Sequence, residues 1–334
     1  MLDVVSFINP RLSSKNVGDI FIDDSVKRIL RYDRENSVEI DPRKPITLEH
    51  IEAINRTKAA IIVGTCLWYR SLPKPSRWHF NMDLLRRIKV PIIPMGVGTQ
   101  RHFDADNAFD PATLEQIKHI HSSCEVASAR DIRTIEVLHE SGIRNVALTG
   151  CPTLFRSLKK EWKLCRSESN HITVTVRKGQ RHNVKILLKL LEKRGCRVTI
   201  AAQGAGDCFL NYSIPFFQKK TQTLYEYALD PYLKLVDECA GAIGWRLHGN
   251  MIYLAAGKPA MLLSNSSRGQ SFCDTFRLPT LRSPDYEPLP VAQIAEIIER
   301  FFDDGTFAAL PGKYAEMRGQ MVHFLDRNGL QHNL

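Results

Sequence analysis

The chain has 334 residues, 43% of them hydrophobic and 25% charged, which is typical of a soluble protein with two domains. No apolar run approaches the roughly 18 residues of a membrane span, and the acidic start at Asp3 is unlike a secretory signal. Eight cysteines without a Cys-x-x-Cys pair favour a reducing cytoplasm over a disulfide framework or a zinc site. The net charge of +10 favours anionic partners, but no nucleic-acid-binding motif accompanies it, and most basic clusters are typical of solvated helix faces.

The first half of the chain alternates short apolar strands with amphipathic helices. Strands are predicted at 4–7, 59–63, 91–95, 126–128 and 146–148. Helices are predicted at 20–31, 46–55, 114–121 and 132–139. This alternation predicts a parallel sheet with right-handed crossovers.

The same rhythm restarts after a basic, polar stretch at 156–170, which is interpreted as a hinge. Strands are predicted at 172–176, 197–201, 242–245 and 259–263, and helices at 184–193, 231–239, 250–256, 291–302 and 314–324. The sequence therefore predicts two doubly wound, Rossmann-like α/β domains, 1–160 and 161–310, that face a cleft as in the GT-B architecture. A final helical segment, 311–334, is expected to pack on the first domain. Ligands are expected at the carboxyl ends of the strands.

The sharpest local pattern is Gly-Trp-Arg-Leu-His-Gly at 244–249, between an apolar strand and a helix. Arg246 at a strand end can grip a carboxylate or phosphate with two hydrogen bonds. The following helix start adds backbone N–H groups that favour an anion, and His248 can exchange a proton near neutral pH. A helix cap with a core-facing histidine explains the same pattern about as well.

Three earlier turns also follow apolar strands. Asn16, Gly18 and Asp19 open the first helix, where they are interpreted either as contacts to a sugar or as simple capping. Gly64 and Gly96 let the backbone approach a ligand closely or merely turn the chain. Neither loop is a dinucleotide-binding or ATP-binding motif.

A second anion contact is expected after the strand at 172–176. Arg177 occupies that strand end, and its neighbours Lys178 and Arg181 could take its place. His119 and His121 stand two apart on a predicted helix and so point in different directions. The sequence therefore predicts no metal site.

Taken in this order, eight segments resemble the polysaccharide pyruvyl transferase family. They are 16–19, 61–64, 94–98, 128–131, 146–152, 174–177, 246–249 and 257–259. Each segment is unspecific alone, but the ordered set, ending in Arg-Leu-His-Gly before an apolar helix, is much more specific. The resemblance covers residues 16 to about 275 of the chain.

This resemblance implies a GT-B-like fold, phosphoenolpyruvate as donor co-substrate without any cofactor, and a pyruvate ketal on a glycan as product. By position, Arg246 and His248 look catalytic, and the resemblance leaves open whether His248 acts as an acid or as a base. Donor binding is implied for Arg177, Arg246, Leu247, His248 and Arg268.

Acceptor binding is implied for the first domain, at Asn16, Gly18, Asp19, Gly64 and Gly96. The acceptor is left open among a free oligosaccharide, a nucleotide-linked sugar and a lipid-linked repeat unit. The basic surface fits the lipid-linked repeat unit. The protein is then expected in the cytoplasm, in peripheral contact with the inner face of the membrane. The oligomeric state is not predicted.

The chain departs from the family pattern at three places. Gly64-Thr65-Cys66 replaces a glycine-rich run, Arg268 stands where a lysine is common, and Cys151 replaces an aspartate that often precedes the proline. Two other functions stay open. One is a GT-B glycosyltransferase that uses a nucleotide sugar, for which Asp237 and Glu238 are candidate ribose contacts but are better explained as part of a helix surface. The other is a non-catalytic binding protein with the same fold.

Overall fold

The computed structural model describes residues 1–72, 78–99, 108–207 and 222–334, which form two α/β units. Unit 1 comprises Met1–Ser14, Ile22–Lys160 and Ala315–Leu334. Unit 2 comprises Lys15–Phe21 and Glu161–Tyr314. The first helix therefore begins in unit 2 and continues in unit 1.

Unit 1 is built on parallel strands. They are β1 (Ser6–Ile8), β2 (Val38–Ile40), β3 (Ala60–Val63), β4 (Cys66–Trp68), β5 (Ile92–Met95), β6 (Gly98–Thr99), β7 (Ala127–Ala129) and β8 (Val146–Leu148). The main sheet has the order β2-β1-β3-β5, and a parallel bridge between Val97 and Ala129 continues it to the β7–β8 pair. The short strands β4 and β6 pair separately. The connecting helices are α1 (Val17–Ile29), α2 (Leu48–Asn55), α3 (Met82–Arg86), α4 (Pro111–Ser122) and α5 (Ile132–Glu140).

Capping residues set where these helices begin. Thr47 and His50 form a capping box at the start of α2. Asp110 caps α4, whose first residue is Pro111, a position that needs no N–H donor. Asp131 caps α5 by accepting from the Thr134 amide. Every residue of β3 and β5 is buried between these helices, which is why both strands read as continuous apolar runs.

Unit 2 contains one six-stranded parallel sheet. Its strands are β9 (His171–Thr175), β10 (Arg197–Ala201), β11 (Gln222–Leu224), β12 (Gly241–Gly244), β13 (Ala260–Ser264) and β14 (Thr280–Arg282). Their spatial order is β11-β10-β9-β12-β13-β14. Numbered within the unit this is 3-2-1-4-5-6, the doubly wound order of dinucleotide-binding sheets, with its reversal between β9 and β12. The described helices are α6 (Arg181–Lys193), α7 (Asp230–Glu238), α8 (Leu247–Ala256), α9 (Ser267–Phe276) and α10 (Val291–Phe302); α11 (Leu310–Arg327) follows.

The predicted class of two doubly wound α/β parts with parallel sheets is confirmed. One boundary differs from the prediction, because Lys15–Phe21 belongs to unit 2. The Val17 amide donates to the Gln203 carbonyl at 2.9 Å, which fastens this segment to the end of β10. The predicted hinge is not a purely polar linker either. It contains Trp162, which is 3% exposed and donates to the Leu254 carbonyl at 2.6 Å.

Among the described residues, no helix combines the length and the hydropathy that crossing a membrane requires.

Candidate active site

Two arginines follow the two strands at which the sheet of unit 2 reverses its order. Arg177 comes after β9 and Arg246 after β12. The Arg246 amide donates to Thr175 Oγ1 at 3.2 Å, and its Nε donates to the Val176 carbonyl at 3.2 Å. The Arg246 guanidinium therefore lies against the backbone that leads into Arg177, at the switch point where open α/β sheets bind ligands.

The turn from β12 into α8 requires a glycine at position 244 and is closed by the side chain of Asn250. Gly244 has φ +149°, and a Cβ there would lie 2.2 Å from the Thr175 carbonyl oxygen. Asn250 closes the turn, because its Nδ2 donates to Thr175 Oγ1 and to the Arg246 carbonyl, both at 2.9 Å. The Arg246 side chain makes no capping bond at the start of α8, and a helix start of this kind favours an anion.

Asp207 holds the Arg246 guanidinium. Its side chain is 1% exposed, and both carboxylate oxygens accept from Arg246 Nη2. The same carboxylate accepts from the amides of Gln203, Gly204 and Lys178 at 3.2, 3.1 and 3.3 Å. Sequence reasoning missed Asp207, although the loop Gly-Ala-Gly-Asp after the strand Arg197–Ala201 is a signal that could have found it.

Arg177 is held in a similar way by Asp285. Arg177 Nε donates to both Asp285 oxygens at 3.0 and 2.9 Å, and Nη2 donates at 2.8 Å. The Asn265 amide oxygen, in the orientation that satisfies both groups, accepts from the same guanidinium at 2.6 and 3.2 Å. Burial alone would raise the pKa of Asp285, but the hydrogen bonds from Arg177 and Gln180 outweigh it and leave this pKa below its ordinary 3.8.

The sequence had suggested two cations ready for an anion, and the structure shows two ion pairs instead. Arg177 and Arg246 donate through Nε and Nη2, and among the described residues neither Nη1 has a hydrogen-bond partner. An anion at this edge of the sheet would therefore meet the Nη1 sides of the guanidinium groups and the positive end of the α8 dipole.

His248 lies in the first turn of α8 and packs against the start of α1. It is 7% exposed, and a Cβ on Gly18 would lie 3.1 Å from His248 Nδ1. Asn16 caps α1, because its Oδ1 accepts from the Gly18 amide at 3.1 Å. Asp19 is 7% exposed in the same first turn. The structure thus brings together, within unit 2, two motifs that the sequence had assigned to opposite domains.

Arg268 also belongs to this edge of unit 2. It is half-buried in the first turn of α9, which follows β13. A Cβ on the adjacent Gly269 would lie 2.7 Å from Ser264 Oγ, so the start of this helix packs closely on the end of the strand. The helix start makes no side-chain capping bond at Ser266. Because the start of a helix favours negative charge, this helix start and the Arg268 cation both suit an anion.

The two remaining predicted residues, Gly64 and Gly96, lie in unit 1, and packing accounts for both. A Cβ on Gly64 would lie 2.5 Å from the Met95 carbonyl oxygen. Gly96 has φ +68°, and a Cβ there would lie 2.2 Å from Pro152 Cδ. Both positions require glycine whether or not a ligand binds, which is the simpler of the two interpretations of these loops.

Asp237 and Glu238 do not lie where a nucleotide contact would be needed. They are exposed at the end of α7, directly before β12 begins, and so stand at the amino edge of the sheet. Arg177 and Arg246 stand at the carboxyl edge. Among the described residues, no group of histidine, cysteine or acidic side chains could hold a metal ion.

Comparison with solved structures shows the fold. The UDP-N-acetylglucosamine 2-epimerase of Rickettsia bellii is 13% identical with a TM-score of 0.55, covering 98% of this chain and 96% of that one. The UDP-GlcNAc 2-epimerase of Neisseria meningitidis, bound to UDP-GlcNAc, is 10% identical with a TM-score of 0.54, covering 97% and 100%. The enzyme of Methanocaldococcus jannaschii, in complex with UDP-GlcNAc and UDP, is 9% identical with a TM-score of 0.52, covering 97% and 98%. At such low identity the likeness concerns the fold alone, which is GT-B-like.

No curated protein matches the chain. A family model, polysaccharide pyruvyl transferase, matches residues 16–267, three quarters of the chain. The match contains Asn16–Asp19, Arg177 and the Arg246–His248 turn, and it ends one residue before Arg268. The chain therefore belongs to the polysaccharide pyruvyl transferase family.

Proposed function

We propose that the protein transfers the pyruvyl group of phosphoenolpyruvate to two hydroxyls of a glycan and so forms a pyruvate ketal in polysaccharide biosynthesis. The observation that carries this proposal is the arrangement at the switch point of unit 2. Two arginines from the ends of two neighbouring strands stand there, and His248 follows one of them in the first turn of α8, whose N-cap side chain makes no capping bond. Such a constellation suits a small, doubly charged donor.

Directional hydrogen bonds, more than net positive charge, would bind the donor. Because Arg246 and Arg177 each carry a carboxylate partner, the local charge of the two pairs is close to zero. The remaining N–H groups of the two guanidinium groups are already oriented by Asp207 and Asp285. Preorganised donors of this kind stabilise developing charge more than mobile cations do. Arg268 would add a further cation at the neighbouring helix start.

The reaction needs a proton to move twice. Protonation of the donor methylene carbon creates an oxocarbenium-like centre, which the first hydroxyl oxygen attacks. The second hydroxyl then displaces phosphate and closes the ketal. The proton lost by one hydroxyl balances the proton added to the methylene carbon, and the proton lost by the other hydroxyl leaves with phosphate. The overall reaction is therefore phosphoenolpyruvate plus a diol giving a pyruvate ketal plus hydrogen phosphate.

His248 is the group that we assign to this proton transfer. Its Nδ1 side faces the start of α1, so the imidazole is held by packing from two helices. Positioned acid–base catalysis of this kind contributes about 10²–10⁴-fold in rate. Asn16 and Asp19, which lie in the same first turn of α1, are proposed to contact the acceptor beside the imidazole. The roles of Gly64 and Gly96 as acceptor contacts stay predictions from the family resemblance.

The test combines donor binding with product analysis. Phosphoenolpyruvate should raise the melting temperature, and UDP-GlcNAc should not, because a ligand specific to the native state stabilises it. Incubation with glycan acceptors should release phosphate and add to the acceptor the mass of one pyruvate less one water. Stabilisation by UDP-GlcNAc with no phosphate release would instead favour the nucleotide-sugar enzyme. No turnover with any acceptor despite donor binding would favour a binding protein.

A matched pair of variants tests the role of His248. His248→Ala should keep the melting temperature and the donor affinity but lose about 10²-fold or more in kcat. His323→Ala replaces an exposed histidine of α11 and should behave like the wild type. Full activity of His248→Ala would remove the imidazole from the mechanism.

A further inference from the structure

A second concave site lies in unit 2, next to the arginine pairs but separate from them. It has a volume of about 550 Å³, within the usual range for ligand pockets. Its lining includes Lys178, Arg181, His182, Lys185, Tyr286 and Glu287. The family comparison gives this cavity no role, and no step of the proposed reaction uses it.

The walls of this pocket are fastened to each other, so the cavity is already formed. One wall is the Lys178–Gln180 turn with the start of α6, and the other is the segment 286–288. The Tyr286 amide donates to the Gly179 carbonyl at 2.7 Å. Asn183 Nδ2 donates to the Glu287 carbonyl at 2.8 Å, and the Leu289 amide donates to Asn183 Oδ1 at 2.8 Å. A preformed site avoids the ordering cost of binding.

The charge of the lining selects an anion. Lys178, Arg181 and Lys185 are exposed and carry three positive charges, while Glu287 carries one negative charge. The net charge of these four side chains is therefore about +2. Arg181 and Lys185 stand four residues apart on α6, so both side chains lie on the same face of the helix. A phosphate or diphosphate suits a pocket whose lining contains three cations.

The rim of the pocket has an unusual aromatic residue. Tyr286 is 79% exposed and has φ +68°, a left-handed conformation that is uncommon for an aromatic residue. The Tyr286 side chain thus lies in the lining of a basic cavity and outside the core. A flat ring there offers a stacking surface for whatever is attached to the phosphate.

We propose that this pocket binds the phosphate or diphosphate group of a second ligand, distinct from the pyruvyl donor. The ligand chemistry is an anionic phosphate that carries an organic group. Two sources share this chemistry, a soluble phosphate or diphosphate ester and the headgroup of an anionic lipid. The inference does not depend on pyruvyl transfer, because it rests on a different set of side chains.

A reporter at the rim tests the proposal. The four native tryptophans, Trp68, Trp78, Trp162 and Trp245, are buried. Tyr286→Trp therefore adds an exposed fluorophore at the pocket mouth. Titration with inorganic pyrophosphate should change its emission in a saturable way. Arg181→Gln with Lys185→Gln in the same protein should weaken this binding about tenfold or more, as expected for the loss of about 1.4 kcal/mol.

Lys189→Gln is the matched control. Lys189 is exposed on α6, one turn beyond Lys185, and does not line the pocket. If it weakens pyrophosphate binding as much as the paired variant does, the effect is one of diffuse surface charge and the proposal is wrong. Absence of any saturable signal with pyrophosphate also overturns it.

Vesicles distinguish the two sources. Phosphatidylcholine vesicles with phosphatidylglycerol are compared with vesicles of phosphatidylcholine alone. Binding to the anionic vesicles that pyrophosphate displaces, and that the paired variant loses, assigns the pocket to a lipid headgroup. Pyrophosphate binding without vesicle binding assigns it to a soluble ester.

Discussion

Acid should destabilise unit 1 through one buried histidine. His121 lies in α4, is 2% exposed, and neither ring nitrogen has a hydrogen-bond partner among the described residues. Burial disfavours the charged imidazole and lowers the pKa of His121 from 6.5 to about 4. Since the unfolded chain takes up the proton first, the stability from a neutral His121 is complete above pH 6.5 and is lost as the pH falls toward 4.

The magnitude follows from the size of this shift. A difference of about 2.5 pKa units is worth about 3 kcal/mol over the full range, and about 2 kcal/mol is already lost between pH 8 and pH 5. His121→Leu replaces the ring with an apolar side chain of similar size and removes two unsatisfied buried nitrogens. It should be at least as stable as the wild type at pH 8. At pH 5 it should be more stable by about 2 kcal/mol or more.

Hydrogen exchange measured by mass spectrometry on peptides from α4 reports this difference locally, after correction for intrinsic exchange rates. His119→Leu is the control, because His119 lies on the same helix but is only half-buried. The reasoning is refuted if wild type and His121→Leu lose protection in parallel between pH 8 and pH 5.

Three further outcomes are expected in unit 2. Asp207→Ala should destabilise the unit by about 3 kcal/mol in thermal unfolding, because it leaves the Arg246 guanidinium half-buried without its carboxylate; a change near zero would contradict the pairing. Asn250→Ala should lower kcat more than it raises KM, since Asn250 fixes the turn that carries Arg246 and His248; an unchanged kcat would show that the turn holds without it. Gly18→Ala should also lower kcat, because the new Cβ would press on His248 Nδ1, and a crystal structure of the variant should show the ring displaced.

The sequence predicts most of the fold because the central strands are buried on both faces. Ala60–Val63 and Ala260–Ser264 are wholly buried, so they appear as uninterrupted apolar runs. Val38–Ile40 and Thr280–Arg282 were missed because they are three residues long and partly exposed, with a charged residue in each. Short strands of this kind give no periodicity to recognise.

The candidate site was predicted in part, from its local motifs only. The Arg246–His248 turn and Arg177 are visible because each follows an apolar strand. Their carboxylate partners are not, since Asp207 lies 39 residues from Arg246 and Asp285 lies 108 residues from Arg177. Only the folded sheet brings such distant loops to one edge.

The division of α1 between the two units has a consequence for synthesis and for dissection of the protein. Residues 15–21 leave the ribosome long before Gln203 and His248, so unit 2 completes its structure only after nearly the whole chain exists. A fragment that starts at Glu161 would lack Val17 and Gly18 and would expose one side of the imidazole to water. Cleaving the chain at one position therefore cannot yield a complete unit 2.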